Sequence, residues 1–445
     1  MTTKIVLIGA GSAQFGFDML GDIFQSDTLS GCHIVLHDID PNALDRVLKS
    51  AKEFITNNKL VVTLTATTHR TEALIGADYC IISIEVGNRF ALWELDKSIP
   101  LQYGITQVFG ENGGVGGLFH ALRIIPPILE ICEDILNICP NAWVFNYSNP
   151  MSRICTTLTR KFPELKIVGL CHEIASLYQH LPHILDTPLS NLNFRAGGLN
   201  HFSILLEASY KDSGKNAIDE ILEKSSHYFE SLPDTASVMK RMMADKTASA
   251  SDLMDKPKTW AERGVFKFLL ENFKVLPITT DSHIGEYIQW AHEVADNEGI
   301  LNFYRYYKQW TLEYEAEIKK TRSERLVKIL EGMEQNTPYE ESAVNIPNNG
   351  LISSLPDWIV VEVPAMITGS GVDGIALNDF PAGFRGLLSN QVAIHDLNAI
   401  AVLEKSKDAV IQALLVDPVV TKAQKIPELV DVMISQQEEF LGYLN

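Results

Sequence analysis

Along residues 4–171, short apolar runs rich in β-branched residues alternate with stretches whose apolar positions recur every three or four residues. The runs at 4–9, 33–37, 61–65, 78–84, 142–147 and 166–171 predict strands, several of them closing on Gly, Asp or Asn. The segments 41–57, 118–136 and 150–161 predict amphipathic helices between them. Alternation of this kind predicts βαβ units around a buried parallel sheet with helices on both faces, a Rossmann-like arrangement. Ligands of such sheets sit beyond the carboxyl ends of the strands, so the residues just after each strand are the first candidates for chemistry.

From about residue 191 the pattern changes. Strands are expected at 192–196 and 201–210, separated by Gly197-Gly198-Leu199-Asn200, then long helical stretches through 216–275 and 285–335. Segment 351–368 reads as strand-rich and 390–441 as helical. The fold class expected is α/β: a Rossmann-like domain over 1–195 and an α+β substrate-binding and oligomerisation domain over 196–445, packed to close a cleft.

A chain of 445 residues with 46% hydrophobic and 21% charged residues is long enough for a large core and is not low in complexity. Its net charge of −19 repels phosphate backbones, which argues against a nucleic-acid partner. Cys32, Cys80, Cys132, Cys139, Cys155 and Cys171 form no CxxC pair, so reduced thiols and a cytoplasmic setting are expected. The apolar run at the N-terminus is too short for a signal-peptide core, and 118–139 carries His120, Arg123, Glu130, Glu133 and Asp134, which argues against a membrane span.

Candidate chemistry gathers after the strands. Gly9-Ala10-Gly11-Ser12 offers a tight turn and close backbone approach to a pyrophosphate, although Gln14 stands at the third fingerprint position, with Gly16 two residues on. Asp38, ending the second strand, is placed to accept from a ribose diol, favouring NAD over NADP; Asp38 or Asp40 capping the helix at Pro41 is the structural alternative. Glu85 and Arg89 follow the fourth strand. Gly113-Gly114-Val115-Gly116-Gly117 opens a helix, where free N–H groups could hold an anion or merely permit a tight loop. Asn149 precedes Pro150 after the fifth strand. Cys171-His172-Glu173 ends the sixth, and Asn200-His201 follows the later glycine pair; a thiolate and an imidazole suit a transition metal, though their spacing matches no zinc finger. Asp281-Ser282-His283 offers a general base or a helix cap.

Taken together these stations resemble the family 4 glycoside hydrolases, the NAD- and Mn²⁺-dependent glycosidases. The matching residues are Gly9-Ala10-Gly11-Ser12, Gly116-Gly117 through Arg123-Ile124-Ile125-Pro126, Asn146-Tyr147-Ser148-Asn149-Pro150-Met151, Cys171-His172-Glu173, Gly198-Leu199-Asn200-His201-Phe202, Asp281-Ser282-His283 and Val344-Asn345-Ile346-Pro347-Asn348. The resemblance implies a lactate/malate dehydrogenase-like fold, NAD⁺ held by Gly9, Gly11, Ser12, Asp38 and Glu85, and Mn²⁺ or another divalent metal on Cys171 and His201. It also implies hydrolysis by oxidation at C3, loss of the C2 proton, elimination at C1, addition of water and return of the hydride. His172 is then the candidate acid, Asp281 and His283 the candidate bases, and Asn149, Arg89 and Arg123 the substrate contacts. His120 stands where the family usually has Arg. The Cys-His-Glu-aliphatic sequence is similar to that of the α-galacturonidase group, whose C6 carboxylate would need a cation from Arg89, Arg123 or Arg263. A homodimer or homotetramer acting on a small sugar or uronate is implied. An α-galactosidase or α-glucuronidase of the same family is the near alternative, and a lactate/malate-type dehydrogenase the distant one.

Overall fold

The computed structural model describes residues 2–11, 15–233, 259–313, 317–319 and 325–445. Twelve strands join in one sheet. They are β1 (Lys4–Ile8), β2 (His33–His37), β3 (Thr63–Thr67), β4 (Tyr79–Ile82), β5 (Trp143–Asn146), β6 (Ile167–Gly169), β7 (Leu192–Leu199), β8 (Phe202–Tyr210), β9 (Leu276–Pro277), β10 (Tyr339–Pro347), β11 (Val360–Thr368) and β12 (Gly371–Gly374). The order is β3-β2-β1-β4-β5-β6-β10-β11-β7-β8-β9, with β12 paired to β11. Pairing is parallel from β3 to β6 and antiparallel from β6 onward. The first six strands therefore have the doubly wound dinucleotide order, whose strand-end crevice lies where the order reverses beside β1.

The local reasons for these elements are readable in the residues. Asp40 caps the helix Pro41–Asn58 by accepting from the backbone N–H groups of Asn42 and Ala43, with proline at the first turn and Lys59 closing it in the left-handed region. The glycine turn after β1 is tight: Gly9 has φ +86°, and a Cβ there would stand 2.1 Å from the Ser83 carbonyl oxygen. Gly16 takes over the close packing that a third fingerprint glycine gives, since a Cβ on it would lie 2.4 Å from the Ala10 carbonyl oxygen.

Three expectations shift. The third strand forms at Thr63–Thr67, displaced from 61–65 because its register with β2 starts at His33–Thr63, and Val61 is left 70% exposed. Strand β7 runs on to Leu199 rather than stopping before the glycines, so only Asn200 and His201 make the turn into β8. Strand β10, whose Glu340-Glu341-Ser342 start conceals it in the pattern, links the parallel and antiparallel parts.

Both main cores draw on the whole chain. One joins Ile5, Leu36 and Phe145 with Leu330, Val363 and Phe384; the other joins Val6, Ile82 and Phe119 with Val410, Met433 and Leu444. The terminal helices thus pack back on the parallel sheet, and the change in pattern near residue 195 does not separate two interiors. Helix Gly114–Ile138 is apolar and long enough to cross a membrane, but most of it is buried in this core.

Candidate active site

Beyond the carboxyl ends of β5 and β6 and at the β7–β8 turn, three ligand-bearing side chains converge. The Cys171 Sγ lies 3.5 Å from His201 Nε2, and Glu173 Oε1 lies 3.6 Å from the same nitrogen. Their donor atoms all fall within 4.8 Å of one another. His201 reaches this position from the left-handed region, φ +64°, in the turn after the Gly197-Gly198 pair.

His201 Nδ1 is buried without a hydrogen-bond partner, and the buried Glu173 oxygens have the Thr279 side chain and the His201 N–H beside them. Burial, then the Glu173 and Glu362 carboxylates, pushes the Cys171 thiol well up, and burial with Glu362 likewise raises Glu173. Burial and the neighbouring His283 push His201 far down, leaving a neutral imidazole. A carboxyl, a thiol and a neutral imidazole drawn together in this way fit a divalent cation of the N/S/O-binding kind. Glu362 anchors the surroundings by accepting from Asn200 Nδ2 at 3.0 Å, Ser203 Oγ at 2.9 Å and Asn345 Nδ2 at 3.3 Å.

His283 packs edge-on against His201, ring centroids 4.3 Å apart, and its Nδ1 lies 2.9 Å from Ser282 Oγ. Burial lowers its pKa, so the ring is neutral with Nε2 uncommitted to Ser282. Asn149 brings a buried Oδ1 that has no partner. His172, between the two ligand-bearing residues, is exposed and faces Tyr147 at 6.3 Å between ring centroids.

At the other side of the crevice, Asp38 accepts from the Gly11 N–H at 2.7 Å and from the Asp40 N–H at 2.9 Å, which fixes its carboxylate at the mouth of the glycine turn. Ser12 lies outside the described residues. Glu85 sits 3.4 Å from His120 Nε2 and 3.5 Å from Arg89 Nε. Burial raises its pKa, but His120 and Arg89 more than offset that and bring it to about 2. Arg89 in turn pairs with Glu111 at 2.8 Å and lies 4.3 Å over the Trp93 ring.

Two candidates are corrected. Arg123 is not at the crevice: it is 3% exposed and makes a bidentate pair with Asp96, at 2.6 and 3.0 Å, with Gln437 Oε1 at 2.6 Å. Asp281 is fully buried and its oxygens accept from Val265 and Phe266 N–H, both 3.0 Å, capping the helix Gly264–Phe273 from a distance in sequence. Both of its oxygens are thus engaged by backbone N–H groups, while burial raises its pKa to about 7. Of the glycine-rich stretch 113–117, Gly113 gives its N–H to Glu286, which also takes those of residues 110–112 and whose pKa burial and Glu111 raise to about 8, and Gly116 gives its N–H to Gln107.

Glu111, Glu286, Arg325 and Glu362 were not singled out by motif. Each acts through a partner more than fifteen residues away, so no local spacing marks it. Glu173 had a signal, its adjacency to Cys171 and His172, but the motif alone did not make it a ligand.

Models of known families match along nearly the whole chain: "Family 4 glycosyl hydrolase" over residues 4–187 and "Family 4 glycosyl hydrolase C-terminal domain" over 196–420. The chain is 56% identical to an α-glucosidase of Erwinia rhapontici, covering 100% of both. It is 28% identical to an α-galacturonidase of Thermoanaerobacterium saccharolyticum, covering 98% of this chain and 96% of that one. Among solved structures, a 6-phospho-α-glucosidase from gut microorganisms, in complex with NAD and Mn²⁺, superposes with a TM-score of 0.77 at 20% identity, covering 99% of each chain. That likeness concerns the fold.

Proposed function

This chain belongs to family 4 of the glycosyl hydrolases, and from that premise we propose that it cleaves a neutral α-glucoside with NAD⁺ and a divalent metal, Mn²⁺ first, as cofactors. The single observation that carries the chemistry is the Cys171–Glu173–His201 cluster, partly buried and with its donor atoms within 4.8 Å of one another.

When bound, NAD⁺ would supply a reversible hydride acceptor, and a divalent ion would supply Lewis-acid polarisation that makes the sugar's C2 proton acidic. Cys171, Glu173 and His201 would hold the ion. Gly9 and Gly11 admit the pyrophosphate to the backbone, Asp38 accepts from the ribose diol, and Glu85, kept ionised by His120 and Arg89, lines the crevice next to them. Asn149 Oδ1 accepts from a sugar hydroxyl. His283 takes the C2 proton at Nε2, with Ser282 holding Nδ1, and this pairing suits a base because burial keeps the ring neutral. His172, exposed on the same strand end, protonates the leaving oxygen.

What supports a neutral glycone is the pairing of the arginines first considered for a C6 carboxylate. Arg89 faces Glu111 and Glu85, and Arg123 faces Asp96; Arg325 likewise faces Glu341. Arg263 lies over Phe229 with Glu262 and Asp281 nearby. The α-glucosidase relative at 56% identity points the same way. The α-galacturonide reading, drawn from the Cys-His-Glu sequence, is the opposing arm of the test. Activity should be assayed on p-nitrophenyl α-glucoside, α-galacturonide, α-glucuronide and α-galactoside with NAD⁺, Mn²⁺ and thiol. The α-glucoside is expected to give the highest kcat/KM without net NADH. Faster turnover of the galacturonide overturns the glycone assignment, and net NADH overturns the hydrolase chemistry. All six cysteines are free thiols, which suits a reducing, cytoplasmic setting. A homo-oligomer is part of the same reading, checked by light scattering.

A further inference from the structure

Segment 281–287 touches three separate parts of the molecule. Asp281 grips the first turn of the helix Gly264–Phe273. Tyr287 stacks on Phe202 at 5.0 Å between centroids, and its hydroxyl donates to the Asn200 carbonyl oxygen at 3.4 Å, beside the turn that carries His201. Glu286 makes the third contact. Its Oε1 accepts from Gly110 and Glu111 N–H, both at 2.6 Å, and its Oε2 accepts from Asn112 at 2.9 Å and Gly113 at 3.2 Å. The contact leaves no slack, for a Cβ on Gly113 would stand 2.4 Å from the Glu286 carbonyl oxygen.

We propose that Glu286 is a positioning residue for the reaction: by clasping the N–H groups of 110–113 it sets His283 on one side and Glu111 on the other in register with the metal-binding cluster. His283 lies three residues before Glu286, and its ring rests on His201 at 4.3 Å. The clasped loop carries the Glu111 carboxylate that pairs with Arg89 and the Glu111 carbonyl oxygen that lies 2.9 Å from His120 Nδ1. One carboxylate therefore ties the base-bearing turn to the charged rim of the cofactor crevice. Four convergent N–H donors accept nothing in its place but an anion or two carbonyl oxygens. A loosened clasp lets His283 drift from the sugar's C2, and displacement of a reacting group by about 1 Å costs on the order of 100-fold in rate.

This inference rests on His283 acting at C2. The test compares Glu286→Gln, Glu286→Asp and His283→Asn as full chains loaded with NAD⁺ and Mn²⁺, with rates expressed per folded, metal-loaded molecule. Glu286→Gln turns an NH₂ group toward N–H donors; kcat should fall about 100-fold. The KM for NAD⁺ should stay as in the parent, and a deuterium effect at C2 of the glycone should be fully expressed. Glu286→Asp, which keeps the anion, should recover part of kcat. Unchanged kcat per folded molecule, equal losses in both variants, or a rate limited by the C3 hydride instead overturns the positioning role. Failure of both variants to fold assigns the residue to stability alone and also overturns it. Parent-like kcat in His283→Asn sinks the base assignment separately, whatever the Glu286 variants do.

Discussion

Arg325 donates from Nη2 to the backbone carbonyl oxygen of Cys171 at 2.7 Å, while its Nη1 serves the Ala343 carbonyl oxygen at 2.8 Å and the Glu341 carboxylate at 2.5 Å. The guanidinium fork thus pins the end of β6 to β10 at the residue whose thiol faces His201 and Glu173. Replacing Arg325 with Met removes the pin without touching a donor atom of the cluster. Mn²⁺ affinity should fall about 10- to 100-fold, as when a group supporting a metal ligand is lost. Titration of the metal-free protein with Mn²⁺, followed by electron paramagnetic resonance, measures it; parent-like affinity assigns Arg325 to strand packing only.

Glu173→Gln should act in opposite directions with and without metal. In the metal-free protein the substitution removes a buried carboxyl that stands near Glu362, so the melting temperature should rise. With Mn²⁺ present a ligand is lost, and the metal-induced gain in melting temperature should shrink. Thermal melts with chelator and with excess Mn²⁺ supply both numbers. A drop in both conditions refutes the ligand role.

Arg123→Met should leave the KM for substrate unchanged while destabilising the fold by about 3–5 kcal/mol, because it strands Asp96 and Gln437 in a dry interior. Chemical denaturation read beside steady-state kinetics decides between this and a substrate contact. A raised KM with unchanged stability returns Arg123 to the site.

The acid side of the stability profile should carry a mark of His395. Its imidazole is 1% exposed, and burial, aided by Arg153, pushes its pKa down to about 3. The unfolded chain, with an ordinary histidine near 6.5, takes up a proton first as pH falls. The folded state therefore holds this stability above pH 6.5 and loses it between 6.5 and about 3. His395→Gln should flatten that limb in denaturation curves collected across the range, and an unaltered slope means the ring titrates normally.

Much of the candidate site was legible because strand ends announce themselves. Gly9, Gly11, Asp38, Asn149 and Cys171 each follow an apolar run, and a parallel sheet carries such positions to one edge whatever the details of packing, while His201 comes from the turn of an antiparallel pair after a glycine pair. The cofactor fingerprint was harder, since Gly16 performs the close packing two residues beyond its usual place.

By itself the sequence determined the strand–helix alternation of the parallel half and the candidate residues at its strand ends, because period and turn chemistry are local properties. Only the tertiary structure decided how charges are shared. It brought Glu173 beside Cys171 and His201, set Asp281 on the backbone of a neighbouring helix and Arg123 on Asp96, and gave the N–H groups of residues 110–113 to Glu286. A carboxylate or guanidinium looks the same along the chain whether it meets a helix end, an ion pair or a sugar. Its role follows from which partner reaches it first once burial has removed water, and that partner stands far away in sequence.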